Sequence, residues 1–100
     1  MKLQWLVLLG LLCISAARAD SLFVVNFGSA TVGEYTTSGA TVNAALISDS
    51  TLGIDAIAVS ESNLFTVQAG PCSIGEYTTL GALVNSSLIS GLNSPVAIAI

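Results

Sequence analysis

Beyond its first twenty residues the chain alternates short apolar runs with small, turn-forming clusters. Leu22–Phe27 is followed by Gly28-Ser29-Ala30, and Thr31–Thr37 by Ser38-Gly39-Ala40. Thr41–Ile47 leads into a loop over Ser48–Gly53, and Ile54–Ser60 leads into Glu61-Ser62-Asn63. Runs of this length, rich in Val, Ile and Thr and bounded by Gly, Ser and Asn, predict strands joined as a hairpin meander. Within the fourth run, alternation places Ile54, Ala56, Ala58 and Ser60 on one face and Asp55, Ile57 and Val59 on the other. Helices are disfavoured because Gly28, Gly33, Gly39 and Gly53 would interrupt each of them. The expected class is all-β.

The pattern is then repeated. Shifted by 42 positions, residues 22–48 match residues 64–90 at 16 of 27 positions without a gap. Leu22-Phe23 falls on Leu64-Phe65, and Gly33-Glu34-Tyr35-Thr36-Thr37 on Gly75-Glu76-Tyr77-Thr78-Thr79. Val42-Asn43 and Leu46-Ile47-Ser48 fall on Val84-Asn85 and Leu88-Ile89-Ser90. The register then slips by one, so that Ala56-Ile57-Ala58-Val59 matches Ala97-Ile98-Ala99-Ile100 at an offset of 41. A single-residue slip in a connection is readily absorbed. Residues 20–60 and 61–100 therefore read as two copies of a four-stranded antiparallel unit, the second cut short at its end.

A period near 42 with four strands is the size of a β-propeller blade. The unit resembles an NHL-type propeller repeat. Pro95-Val96-Ala97-Ile98-Ala99-Ile100 and Gly53-Ile54-Asp55-Ala56-Ile57-Ala58-Val59 correspond to that family's innermost strand. Leu22-Phe23-Val24 and Leu64-Phe65-Thr66 correspond to its second strand, and Val32-Gly33-Glu34-Tyr35 and Ile74-Gly75-Glu76-Tyr77 to its third. Ala56 and Ala97 stand where the family has a glycine. The resemblance, closest to exported bacterial proteins built from many copies, implies two blades of an incomplete propeller and specifies no activity. Two blades are fewer than the four to eight of a closed ring. The expectation is a piece of a longer repeat protein. A self-assembling chain and a small two-sheet domain are the alternatives. In the assembling case Val96–Ile100 is an apolar edge strand seeking the Leu22–Phe27 edge of another copy.

The first residues change the picture of where the protein works. Met1-Lys2 precedes an apolar run from Leu3 to Ile14, and Ala17-Arg18-Ala19 gives a small-x-small pattern. This predicts a signal peptide over 1–19, cleaved between Ala19 and Asp20, and a secreted or cell-envelope location. The run of 12 residues is short of the roughly 20 that a membrane span requires. Its removal also takes Cys13, leaving Cys72 without an internal partner, a turn residue in Gly70-Pro71-Cys72-Ser73.

Charge removes whole classes of function. Lys2 and Arg18 are the sole basic residues and there is no histidine, so residues 20–100 carry six acids and no cation, a formal charge of −6. Nucleic-acid binding, which needs cations against phosphate, is excluded as an expectation. So are histidine-based triads and zinc sites. No catalytic, cofactor-binding or metal-binding residue is predicted. Glu34 and Glu76 occupy one repeated position, as do Tyr35 and Tyr77. A repeated residue is expected to hold structure rather than to act as a paired acid and base or as a ligand platform. Asp49, Asp55 and Glu61 are too sparse for a calcium loop. Asn85-Ser86-Ser87 fits the glycosylation pattern but lies in an expected strand.

The functional expectation is an exported, non-catalytic repeat module that serves as a scaffold or binds an unidentified protein or carbohydrate. The alternatives are part of a propeller lyase or lactonase whose catalytic blades lie elsewhere, and an adhesive β-protein that self-associates through its edge strands.

Overall fold

The computed structural model describes residues 21–100. The expected signal peptide and its cleavage point lie outside them. Seven strands and no helix are formed among the described residues: β1 (Ser21–Asn26), β2 (Thr31–Thr36), β3 (Thr41–Ser48), β4 (Ile54–Ser60), β5 (Asn63–Gln68), β6 (Ser73–Thr78) and β7 (Leu83–Ile89). The first three form one antiparallel sheet in the order β1-β2-β3, and the last four form another in the order β4-β5-β6-β7. All neighbours are sequential, so every pairing is a local hairpin.

The fold is all-β, as the pattern predicts, but the sheets divide the chain differently from the units read in the sequence. β4 does not close the first meander; it pairs with β5. The two-residue turn Glu61-Ser62 between paired Ser60 and Asn63 joins these strands directly, with Glu61 at the positive φ (55°) that such a turn demands. The longer 49–53 connection carries the chain from one sheet to the next. It is anchored by the Asp49 amide donating to the Ala30 carbonyl (3.3 Å) and the Leu52 amide to the Asp49 carbonyl (3.3 Å).

The expected alternation in β4 is also corrected. Ile54 pairs with Gln68 and Ala56 with Val67, so Asp55 is an extra residue, a bulge. A bulge shifts the side-chain alternation by one. Ile54, Ile57 and Val59 consequently share the face of Gln68, Thr66 and Leu64. A third correction concerns Pro95–Ile100, which forms no strand. A strand needs a ladder partner, and none pairs with this segment among the described residues. Pro95 has no amide to donate and Ser94 turns with a positive φ of 47°.

The ladders repeat at the 42-residue offset. β1-β2 pairs Leu22 with Tyr35, Phe23 with Glu34 and Val25 with Val32; β5-β6 pairs Leu64 with Tyr77, Phe65 with Glu76 and Val67 with Ile74. The third strand joins through the same bulged register: Val32 to Ile47 and Glu34 to Asn43, then Ile74 to Ile89 and Glu76 to Asn85. Even the bulges are held alike. Asn43 Oδ1 accepts from the Ala45 amide at 3.1 Å, and Asn85 Oδ1 from the Ser87 amide at 3.0 Å. That side-chain oxygen satisfies an amide the bulge frees from the ladder.

The two sheets meet face to face. Phe23, Val25, Val32 and Ile47 of the first pack with Ile54, Ile57, Leu64 and Tyr77 of the second, joined by Leu46 and Leu52. The turn at Gly81 reaches across as well. With φ at +94°, a Cβ there would stand 2.9 Å from the Leu46 carbonyl oxygen, whereas its counterpart Gly39, at +97°, faces open space. Both turns need a residue that tolerates positive φ; Gly81 must in addition be small because a neighbouring backbone lies against it.

Candidate functional site

The repeated glutamates bind their own sheet. Ser21 Oγ donates to Glu34 Oε2 at 2.7 Å, and Asn63 Nδ2 donates to Glu76 Oε2 at 2.8 Å. Donor and acceptor each recur 42 residues later, so one cross-strand contact is used twice with a hydroxyl exchanged for an amide. Each carboxylate is half-buried and ties the start of one strand to the next across the hairpin.

The tyrosines separate. Tyr35 lies over Gly33, where a Cβ would come within 2.8 Å of the ring. Tyr77 is buried in the core between the sheets. Burial raises the Tyr77 pKa above its usual value, and the negative charge of Asp49 adds to the rise. Asp49 itself is held below the usual carboxylate range by hydrogen bonds from Thr51: the hydroxyl at 2.6 Å and the amide at 2.9 Å, both to Oδ1. The folded-state pKa of Tyr77 exceeds its unfolded value. The neutral phenol's contribution to stability is therefore fully present below pH about 10 and is lost as pH rises through the folded pKa. In a Tyr35→Phe background, ultraviolet titration should show Tyr77 ionising above pH about 10. Asp49→Asn should lower that midpoint, and an unmoved midpoint would remove Asp49 as a cause.

Asp49, Asp55 and Glu61 are not brought together; among the described residues no three metal-binding side chains converge. Cys72 is half-buried and its thiol is free. It takes a positive φ (56°) in the β5–β6 turn, as Ala30 does (58°) in the β1–β2 turn, and Sγ approaches the Ala69 carbonyl at 3.6 Å. It is the turn residue the sequence suggests.

The most ordered polar group is one that sequence reasoning missed. Thr66, Gln68 and Ser73 are all buried on the inner face of the second sheet. Ser73 Oγ donates to Gln68 Oε1 at 3.0 Å, and Gln68 Nε2 donates to Thr66 Oγ1 at 3.0 Å. Thr66 Oγ1 in turn reaches the Gly75 carbonyl at 3.4 Å. No buried side-chain polar atom lacks a partner among the described residues. The cluster is sealed and satisfied, as buried polar groups must be. Its counterpart in the first sheet is one contact, Asn26 Nδ2 to Thr31 Oγ1 at 3.3 Å, half-buried. The signal was present in the sequence: Gln68 closes an apolar strand, and Ser73 opens the next one across a short turn.

Comparison with protein-family models, with characterised proteins and with solved structures yields no match.

Proposed function

We propose that this chain is an exported, non-catalytic repeat module of the NHL-like β-propeller kind, offering a scaffold or binding surface outside the cytoplasm. The observation that carries the reading is the recurrence of one bulged three-stranded ladder at an offset of 42 residues. The second occurrence is completed by a preceding strand, β4, and stacked face to face on the first. A repeated antiparallel meander packed on its copy supports the blade reading. The chemistry agrees. From Ala19 onward there is no His, Lys or Arg, and both repeated carboxylates are engaged by neighbouring strands. General acid–base work would rest on carboxylates and tyrosines alone.

The test is purification of the product from the medium of an expressing cell. Amino-terminal sequencing should read from Asp20, and panels of glycoside, ester and lactone substrates should show no turnover above background. A retained Met1–Ala19 segment would overturn export. Turnover that disappears in Glu34→Gln or Glu76→Gln would overturn the non-catalytic reading.

A further inference from the structure

The second sheet has something the first lacks. β5 is flanked on both sides, by β4 and β6, whereas β1 pairs only with β2 among the described strands. Yet β1 and β5 are the same strand in sequence: Leu22-Phe23-Val24-Val25 against Leu64-Phe65-Thr66-Val67. A second copy of the β4 sequence also exists. Ala97-Ile98-Ala99-Ile100 repeats Ala56-Ile57-Ala58-Val59, and it stands outside any strand with Val96 70% exposed. The chain thus holds one satisfied β4–β5 pair and one separated pair of the same two sequences.

The faces show the same mismatch. Leu64 is 0% exposed against the first sheet, while its counterpart Leu22 is 48% exposed. Ile47 is 5% exposed against the second sheet, while its counterpart Ile89 is 49% exposed. Part of each half of the internal sheet–sheet contact therefore has an uncovered twin: Leu22 for Leu64 and Ile89 for Ile47, although Val67 and Ile74, the twins of Val25 and Val32, are buried. A related contact follows β7: the Leu92 amide donates to the Cys72 carbonyl at 3.1 Å, one residue beyond the counterpart of the Asp49 amide that donates to Ala30.

We propose that a second copy of this chain docks on the first by repeating that internal contact. Residues 97–100 of one copy add as an antiparallel strand to the Leu22–Val25 edge of β1 in the next, which no described strand covers, and the Leu88–Ile89 surface of the donor covers Leu22 and Val24 of the acceptor. The register follows from the pairs Ala56–Val67, Ile57–Thr66, Ala58–Phe65 and Val59–Leu64. Adding 41 to the first member and subtracting 42 from the second gives Ala97–Val25, Ile98–Val24, Ala99–Phe23 and Ile100–Leu22. The two surfaces differ, so the contact is head-to-tail and generates a ring or an open filament rather than a twofold dimer. Main-chain hydrogen bonds supply affinity, and alternate side chains on the covered face supply register. The contact between copies goes beyond the propeller reading and rests on the ladder registers and side-chain exposures alone, so export can fail without touching it.

The experiment uses the full chain in a Cys13→Ser, Cys72→Ser background, which removes both native thiols, followed by light scattering and by disulfide trapping. The parent chain should exceed monomer mass at micromolar concentration, and Ile98→Lys, which sets a charge against Val24, should shift it at least tenfold in concentration toward monomer. Ile100→Cys combined with Leu22→Cys, both at exposed positions, should give an intermolecular disulfide ladder on denaturing gels. Ile100→Cys with Val24→Cys, two residues out of register, should give far less. A monomer at high concentration would overturn the proposal. So would association indifferent to Ile98→Lys, or equal trapping in both cysteine pairs, which would mark unspecific adhesion. Because trapping reads register in an otherwise unaltered edge, it decides the matter even where Ile98→Lys perturbs folding.

Discussion

Truncating Leu64 to alanine is expected to destabilise the chain by about 2–5 kcal/mol, while the same change at Leu22 costs about 1 kcal/mol or less. The two leucines open the same Leu-Phe sequence and face tyrosines at the same register position. Leu64, however, is fully enclosed between the sheets, where removal of its branched end leaves a cavity lined by Ile54, Tyr77 and Val32. Leu22 already meets solvent over about half its surface. A marginally stable domain of this size holds roughly 4–12 kcal/mol in total, so Leu64→Ala should shift the urea midpoint severely. The comparison belongs in the Ile98→Lys background, where any contact between copies is suppressed and Leu22 reports its exposure in the isolated chain. Equal losses at the two positions would mean that the sheets do not pack as described.

A side chain at Gly75 is expected to be nearly as damaging. A Cβ there would overlap the Gln68 amide nitrogen and come within 2.9 Å of Thr66 Oγ1. Gln68 would have to leave a fully buried position in which it both donates to Thr66 and accepts from Ser73. Overpacking costs about 1–3 kcal/mol, and each stranded buried polar group about as much again. Gly75→Ala should therefore lose about 2–4 kcal/mol by chemical denaturation. The cause is separable by a double-mutant cycle. In a Gln68→Ala background the obstructing amide is absent, and the additional cost of Gly75→Ala should fall by more than half. Strict additivity would show that the strain lies in the backbone and not in the amide above it.

Both substitutions fall at positions whose burial no local pattern announces. The strands themselves were legible, because apolar runs between glycine-, serine- and asparagine-rich turns mark them out: Ile54–Ser60 has the bounds expected of it, and β1, β2 and β3 depart by a residue or so. That success is physical, because each hairpin is closed by nearby residues and needs no distant partner. The equivalence of Glu34 and Glu76 was legible for a related reason, since a residue duplicated with its surroundings inherits the same kind of neighbour, Ser21 in one sheet and Asn63 in the other.

Pairing across the longer connections was not legible in the same way. Residue order and composition suffice for an all-β chain with a 42-residue self-match, an acidic character and no histidine-, lysine- or arginine-based chemistry after Arg18. It took the packed sheets to establish that β4 belongs with β5, that the Asp55 bulge turns Ile57 and Val59 to the face of Leu64, and that Thr66, Gln68 and Ser73 close on one another. Packing also selects which member of the Leu22/Leu64 and Ile47/Ile89 pairs is buried. Alternation along a strand says only that two faces differ; which of them is enclosed depends on whether another sheet lies against it. Leu22 and Leu64 carry the same side chain in the same register, and only the neighbouring sheet makes one of them core.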